Sequence, residues 1–530
     1  MIQNHLRRLF SLTGSALIAL ALPATTHAQS AETLWNNNCA SCHGKTGAGG
    51  GAGTRTMLDN AHRSPDWFPD SLGKEAGRTD RQLFDATKFG NPESGMPAFK
   101  DGLDDPQIWL MVNYLRELQE QARRKDGGPA VMPKAGPDGV YTSKHVAYKI
   151  ETIVAESKSL KLDTPWSVDF LPSPAEAKLK TMLLTERNGN LRTVTMSSDP
   201  KVAAVVSEPI SGMPAVRNRG QGGLMDVAVH PDYANNKWIY LSLTDPLDAS
   251  SKNLGTTKIV RGKLTGDNDT LKWTDEEVIW KAKSEHYTSG DLHFGSRIVF
   301  DKPDASGKRP LFFCIGERGR AETAQDLTKP NGKVHRIFDD GTIPTDNPFV
   351  SQKDAYASIW SYGHRNPQGL VLDAAGNLWD TEHGPRGGDE LNLVKKGANY
   401  GWPIVSHGVN YSGTSLTVPW ADLVAGKRAE GKNITEPTFV WLPSIAASGL
   451  DELRPGPWGE VLSQWKGDLF AGGIASTVVD RLRIKDGKVI EREEVLHGMG
   501  RVRDVVCGPE GAVYVVLNGP DKVVRLVPAK

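Results

Sequence analysis

Residues 227–243, VAVHPDYANNKWIYLSL, pass from a short apolar run through a polar turn carrying Pro231, Asp232, Asn235 and Asn236 into a second apolar run, Ile239 to Leu243. Short apolar runs bounded by turn residues mark buried strands. The same theme returns at residues 168–185, 298–315, 370–379, 459–472 and 505–517. The spacing is roughly 60 residues per copy, longer than the ~50 of a kelch blade. A single four-stranded blade cannot bury both of its faces, whereas six packed radially can, and their inner strands then line a central funnel. The repeat therefore predicts an all-β six-bladed propeller over residues 146–530. A large β-sandwich assembly is the alternative, but sandwiches show no period this long.

The composition agrees. The 530 residues are 38% hydrophobic and 24% charged, which excludes disorder and a multi-span membrane protein. With Lys+Arg and Asp+Glu both at 63, no basic excess exists to hold a nucleic acid backbone. The 55 Gly and 33 Pro punctuate many short elements, and four Cys are too few for a disulfide scaffold. Cys314 and Cys507 lie in apolar runs of different repeats and read as buried free thiols.

At the N-terminus, Arg7 and Arg8 precede an apolar run from Leu9 to Leu22 and the small-residue site Thr26-His27-Ala28. This predicts a signal peptide over residues 1–28, cleaved after Ala28, and a periplasmic mature protein. The run is shorter than the ~20 residues of a spanning helix, so no stable membrane insertion is expected, the alternative being an uncleaved anchor.

Cys39-Ala40-Ser41-Cys42-His43 is the most specific short motif. Two thiols on one helical turn can form thioethers to both haem vinyl groups, and the adjacent His43 then ligates the iron. A zinc half-site would need a second ligand pair nearby, and a redox dithiol is the other alternative. Gly95-Met96-Pro97 supplies a tight loop around a thioether, making Met96 the expected sixth ligand. Met57 and Met111 compete, but Ile108, Met111, Val112, Leu115 and Leu118 share one face of a helix opened by Asp105-Pro106, so Met111 reads as core. Residues 29–122 form the expected haem domain, and residues 31–120 resemble a small class I cytochrome c. Residues 123–145, with Gly127-Gly128-Pro129, Gly136-Pro137 and Asp138-Gly139, read as a linker.

Within the repeats, several distinctive segments follow in fixed order: Gly220-Gln221-Gly222-Gly223, His293-Phe294-Gly295-Ser296-Arg297, Gly363-His364-Arg365-Asn366-Pro367-Gln368-Gly369, Glu382-His383-Gly384-Pro385, Asp389-Glu390, Asn399-Tyr400-Gly401-Trp402-Pro403 and Arg501-Val502-Arg503-Asp504. This set resembles the soluble quinoprotein glucose and sorbosone dehydrogenase family, and above all its aldose sugar dehydrogenase branch, from about Leu162 to Val527. The resemblance implies pyrroloquinoline quinone (PQQ) at one funnel mouth, calcium, and oxidation of an aldose at C1 to the lactone.

Such an oxidation requires a base for the hydroxyl proton, and histidine works near pH 7. His293 matches the family's base. Glu317 matches the acid that orients it, with Glu where glucose dehydrogenases have Asp. Arg365 and Asn366 match residues at the quinone oxygens, and Gln221 matches a sugar contact. Arg501 and Arg503 alternate along a strand, project to one face and can clamp carboxylates, the alternative being a solvated charged face. The carbonyls of Gly384 and Pro385 match a calcium site at the cofactor, and Glu390 with the Tyr400 carbonyl matches a structural calcium site; Asp389-Glu390 otherwise reads as an exposed acidic turn.

The chain departs from the family at Ala475, where relatives place a lysine on a PQQ carboxylate, and at Leu292, where glucose dehydrogenases have a sugar-contacting acid. The expectation is a quinohaemoprotein passing a hydride from sugar to PQQ, then single electrons to the tethered haem c and on to an external cytochrome or quinone. A sorbosone or aldehyde dehydrogenase of the same family, and a catalytically silent binding propeller, are the alternatives.

Overall fold

A computed structural model of the protein describes residues 30–49, 80–126, 133–174, 177–199, 201–248, 253–267, 270–411, 418–419, 433–454 and 462–529. The signal segment and Met57 lie outside the described residues. The chain begins with a small helical domain and continues as a six-bladed β-propeller.

Blades 1 to 5 are four-stranded antiparallel sheets, and blade 6 carries a short fifth strand besides. Blade 1 comprises Pro165–Phe170, Leu179–Glu186, Leu191–Ser197 and Val205–Val206; blade 2, Leu224–Val229, Ile239–Pro246, Gly255–Thr265 and Lys272–Lys281; blade 3, Ile298–Phe300, Pro310–Ile315, Lys333–Phe338 and Ile359–Tyr362. Blade 4 comprises Pro367–Leu372, Leu378–Glu382, Asp389–Leu393 and Phe439–Trp441; blade 5, Ala447–Glu452, Leu469–Gly473, Val478–Lys485 and Lys488–His497. Blade 6 joins Arg501–Cys507, Val513–Asn518 and Lys522–Pro528 to Ala147–Ala155 from the start of the domain. That pairing of first and last strands closes the ring.

Apolar side chains fill every gap between neighbouring blades, such as Leu183, Leu191, Leu224 and Leu241 between blades 1 and 2, and Val479, Val502 and Val515 between blades 5 and 6. A polar staple crosses each of the six junctions near the axis. Asp169 accepts from Val229 N, Asp226 from Ile298 N, Asp389 from Ala447 N, Asp451 from Cys507 N and Asp504 from Val168 N, while Arg297 donates to the Gln368 carbonyl. Arg297 also bridges Asp226 and Asp504, both at 2.8 Å. A buried charge persists only when paired in this way.

Five of the six expected repeat copies coincide with the first two strands of their blades. The copy at 459–472 needs correcting. Its second run is the strand Leu469–Gly473, but the inner strand paired to it is Ala447–Glu452, well upstream of Gly459. That strand, ASGLDE, has no continuous apolar run and was invisible to the pattern.

The helical domain contains Ala31–Asn38, Ala40–His43, Asp80–Phe89 and Asp105–Asp126. Asp104 and Gln107 cap the last helix reciprocally, each side chain accepting from the other's backbone N–H at 2.8 and 2.9 Å. Its expected apolar face, Ile108, Met111, Val112, Leu115 and Leu118, is buried against Leu34, Trp35 and Phe84.

The expected linker is shorter than its composition indicated. The helix continues to Asp126, and Tyr141–Thr142 pairs with Ala147 and Tyr148 as a fifth strand of blade 6. Lys144 and His145 both reach Glu491. Nor does the helical domain stand apart. Arg386 makes a two-pronged pair with Glu117 at 3.0 and 2.7 Å, Asn113 donates to the His407 carbonyl at 3.3 Å, and Val409 is buried in the helical core.

Candidate active site

The site is assembled at the end of the propeller where the inner strands begin. Each blade can present two segments there, one entering its first strand and one leaving its second, because the two strands are antiparallel. Blade 3 supplies His293 on its entry and Glu317 on its exit. Blade 4 supplies Arg365 and Asn366 on its entry, then His383, Gly384 and Pro385 on its exit. Blade 2 presents Gln221, and blade 6 begins at Arg501 and Arg503.

A backbone hydrogen bond ties blade 3 to blade 4 here, Glu317 N donating to the Arg365 carbonyl at 2.9 Å, and within blade 4 His383 N donates to the Asn366 carbonyl at 3.2 Å. Gly316 leaves room for this approach, since a Cβ there would lie 2.4 Å from the His293 carbonyl oxygen and 2.6 Å from Asn366 Oδ1.

His293 is buried, with φ 53°, a left-handed conformation held by its neighbours. Its backbone N–H donates to Gln221 Oε1 at 2.8 Å, and its Nδ1 pairs with Glu317 Oε1. Arg318 holds the preceding loop, donating to the carbonyls of Gly255, Gly290 and Leu292 while its guanidinium lies 3.5 Å from the Phe294 ring centroid. Burial pushes the His293 imidazole below its ordinary value; Glu317 opposes this and Arg365 adds to it. The ring is therefore neutral at pH 7. With Nδ1 engaged, Nε2 is the nitrogen available to take a proton.

Around it stand groups with unused hydrogen-bonding capacity. Among the described residues, Glu317 Oε2, Arg365 Nε, Asn366 Nδ2, His383 Nε2, Arg187 Nε and Arg503 Nε are buried without a hydrogen-bond partner. Arg365 donates to the Gly384 carbonyl at 2.8 Å and to the His383 carbonyl at 3.2 Å, and stacks near Trp402. Arg503 lies 4.8 Å from the Trp166 ring centroid, while Arg501 is exposed. His383 is pushed down to about 3 by burial and then by Arg365, His293 and Arg503, so it too is neutral. The buried donors without partners on Arg365, Asn366, Arg187 and Arg503 suit an anionic ligand. Leu292, 49% exposed, stands at the rim.

The carbonyl of Gly384 faces Arg365, and Asp389 Oδ1 holds the loop by accepting from Gly384 N at 2.9 Å. Asp389 is fully buried, which overturns its reading as an exposed turn. Glu390 adjoins a buried set of His364, Asp380, Glu382 and Asn392, with ligand atoms of the first three all within 4.8 Å of one another. Burial, then the charge of Glu382, pushes the Asp380 and Glu390 carboxyls well above their usual range. Hard oxygen donors crowded in this way suit a divalent cation. The Tyr400 ring stacks on His364 at 4.6 Å.

In the helical domain, Cys39, Cys42 and His43 occupy one short helical segment. Cys39 Sγ lies 3.6 Å from Met111 Sδ inside the core, and Trp35 packs beside His43. Met96 is half-buried in a loop closed by its bridge to Asn91. Cys314 and Cys507 are free thiols.

Arg187, Arg318 and His383 escaped the sequence reading. Arg318 adjoins Glu317 and His383 adjoins Gly384, but none of the three carries a local pattern separating it from a surface charge.

Fold and site together define a propeller oxidoreductase with a cytochrome c domain in front. The family model for glucose/sorbosone dehydrogenases matches residues 162–525, and that for cytochrome c matches residues 28–119. The chain belongs to the glucose/sorbosone dehydrogenase family and carries an N-terminal cytochrome c domain. It is 39% identical over 369 residues to the aldose sugar dehydrogenase YliI of Escherichia coli (strain K12), covering 69% of this chain and 90% of that protein. The quinoprotein glucose dehydrogenase B of Acinetobacter calcoaceticus is 28% identical over 364 residues, 56% of this chain and 73% of that one. The crystal structure of the apo Escherichia coli aldose sugar dehydrogenase superposes with a TM-score of 0.59 at 34% identity, covering 72% of this chain and 100% of that one. The chain is thus an oxidoreductase whose homologues are aldose sugar dehydrogenases. No helix of the described residues is long and apolar enough to cross a membrane.

Proposed function

We propose that this protein oxidises an aldose at C1 to the lactone in the periplasm, using PQQ and calcium in the propeller and passing the electrons through haem c to an external cytochrome or quinone. The observation that carries the reading is the convergence of a neutral, carboxylate-oriented His293 with buried, unpartnered donors from Arg365, Asn366 and Arg503. This donor set fits PQQ, whose carboxylates and quinone oxygens are all acceptors. When bound, PQQ supplies the two-electron acceptor for the C1 hydrogen.

The chain's own residues do the rest. His293 Nε2 takes the C1 hydroxyl proton, and Glu317 holds the ring and stabilises the imidazolium that forms. Gln221 fixes the base through its backbone and borders the sugar. Arg365 and Asn366 donate to oxygens that gain negative charge, and Arg501 and Arg503 hold carboxylates. The Gly384 and Pro385 carbonyls would hold calcium beside the cofactor, and Glu390 with the Tyr400 carbonyl a structural calcium.

Cys39 and Cys42 would anchor the haem, and His43 and Met96 would hold its iron, a thioether there favouring a higher potential. The Glu117–Arg386 pair joins the cytochrome helix to the loop that follows Gly384 and Pro385, so the haem domain docks on the same loop that borders the cofactor. The signal segment over residues 1–28 accounts for export.

The test is stopped-flow mixing of the PQQ- and calcium-loaded holoprotein with aldoses and with aldehydes while the haem bands are followed. Aldoses should reduce the haem with a first-order rate constant unchanged across a tenfold range of enzyme concentration. A rate that climbs with protein concentration would move the electron step between molecules, and no haem reduction by any aldose would end the reading.

A further inference from the structure

The sequence lacks the lysine that relatives place on a PQQ carboxylate, since Ala475 occupies that position and is exposed at the blade 5 exit. On the opposite flank of blade 6, the exit of blade 1 carries a cation no motif singled out. Blade 1's second strand ends at Glu186, and Arg187 is the next residue. It therefore occupies in blade 1 the kind of position that Glu317 occupies in blade 3 and His383 in blade 4.

Arg187 is fixed there by its backbone and its side chain. Its N–H donates to the Thr164 carbonyl and its own carbonyl accepts from Leu224 N, at 3.1 and 3.0 Å. Gly223 is required for that approach, since a Cβ there would lie 2.1 Å from the Arg187 carbonyl oxygen. One arm of the guanidinium, Nη1, donates to the Gly220 carbonyl, one residue before Gln221. The Nε, buried, has no hydrogen-bond partner among the described residues.

No carboxylate forms an ion pair at this corner among the described residues, although Asp521 opposes the crowding at Arg503 from a distance. Among the described residues, Arg187, Arg501 and Arg503 form no ion pair; the nearby acid, Asp521, is occupied by Asn518 Nδ2 at 2.7 Å and by the backbone N–H groups of Thr164 and Gly519. Arg503 feels the crowding: burial, then Arg501 and Arg187, pushes it down to about 10. Guanidiniums gathered without an ion-paired acid repel, and an anion bound among them would relieve that repulsion.

We infer that Arg187 is the cation that replaces the absent lysine, binding a carboxylate of PQQ from the blade 1 side. This rests on the PQQ reading above and identifies one residue that executes it.

The test is a titration of the calcium-containing apoprotein with PQQ, followed by tryptophan fluorescence, so that affinity is read without turnover. Arg187→Gln should weaken PQQ binding roughly 10–100-fold, the size of one lost charge-assisted contact. Arg187→Lys should stay near the parent. Ala475→Lys should change the parent's affinity by less than about threefold, yet recover most of the loss when combined with Arg187→Gln. Binding by Arg187→Gln within twofold of the parent overturns the assignment. So does a loss that neither Arg187→Lys nor Ala475→Lys repairs, which would make the Gly220 contact the whole role. Ala475→Lys alone is a handle that needs no change at Arg187: a tenfold gain in the parent would show that a carboxylate is still uncompensated. A parent that binds no PQQ under these conditions would defeat the functional reading itself, separately from the role of Arg187.

Discussion

The two domains build their sites in opposite ways. The cytochrome domain holds its proposed haem-attachment residues within five consecutive positions, Cys39 to His43, on one short helical segment. The propeller draws its site from blades 1, 2, 3, 4 and 6, so Arg187 and Arg503 approach one another across more than three hundred residues of chain. A local site needs only a helix to form. A dispersed one requires the ring to close, because His293 is oriented by Glu317 across its own blade, and Glu317 N is in turn held by blade 4. Damage should therefore spread differently in the two regions.

The largest expected effect lies at the base. His293→Gln should lower kcat for aldose oxidation by roughly 10²–10⁴-fold while leaving PQQ affinity and the haem spectrum as they were. Turnover within a few-fold of the parent would remove His293 from the proton step.

Next in size is the axis of the ring. Arg297→Met leaves Asp226 and Asp504 buried with no cation between them, a change that typically costs about 3–5 kcal/mol. Chemical denaturation should show the propeller transition at lower denaturant while the haem absorbance, which depends on the local site, persists. Coincident loss of both signals would show that docking through Glu117 and Arg386 makes the two domains one cooperative unit.

A smaller effect tests the pairing of His293 with Glu317. Only the neutral imidazole accepts a proton, and burial has already lowered its pKa, so kcat/KM should be flat at pH 7–8 and fall only below the ordinary histidine value of ~6.5. The Glu317 carboxylate favours the protonated ring and so works against burial. Glu317→Gln should then move the acid limb to still lower pH while reducing the plateau. A limb that moves to higher pH would contradict this arrangement.

The sequence by itself determined the repeat and hence the blade number, because inner strands buried on both faces must read as short apolar runs between turns. It determined the haem motif, because thioether attachment and iron ligation act within one helical turn. It also carried the order of segments around His293, Arg365 and Gly384, which their family likeness made legible.

The tertiary structure decided the rest. The inner strand Ala447–Glu452 is a strand because blades 4 and 6 cover it, although apart from Leu450 its residues are polar or small. The linker shortened because Tyr141 found Tyr148 and Lys144 found Glu491, contacts that composition cannot register. Arg187, Arg318 and His383 come to the proposed site only because strand exits from different blades lie at one mouth. A charge carries no local signature of its role, since what distinguishes a surface guanidinium from a ligand-binding one is the company that ring closure brings to it.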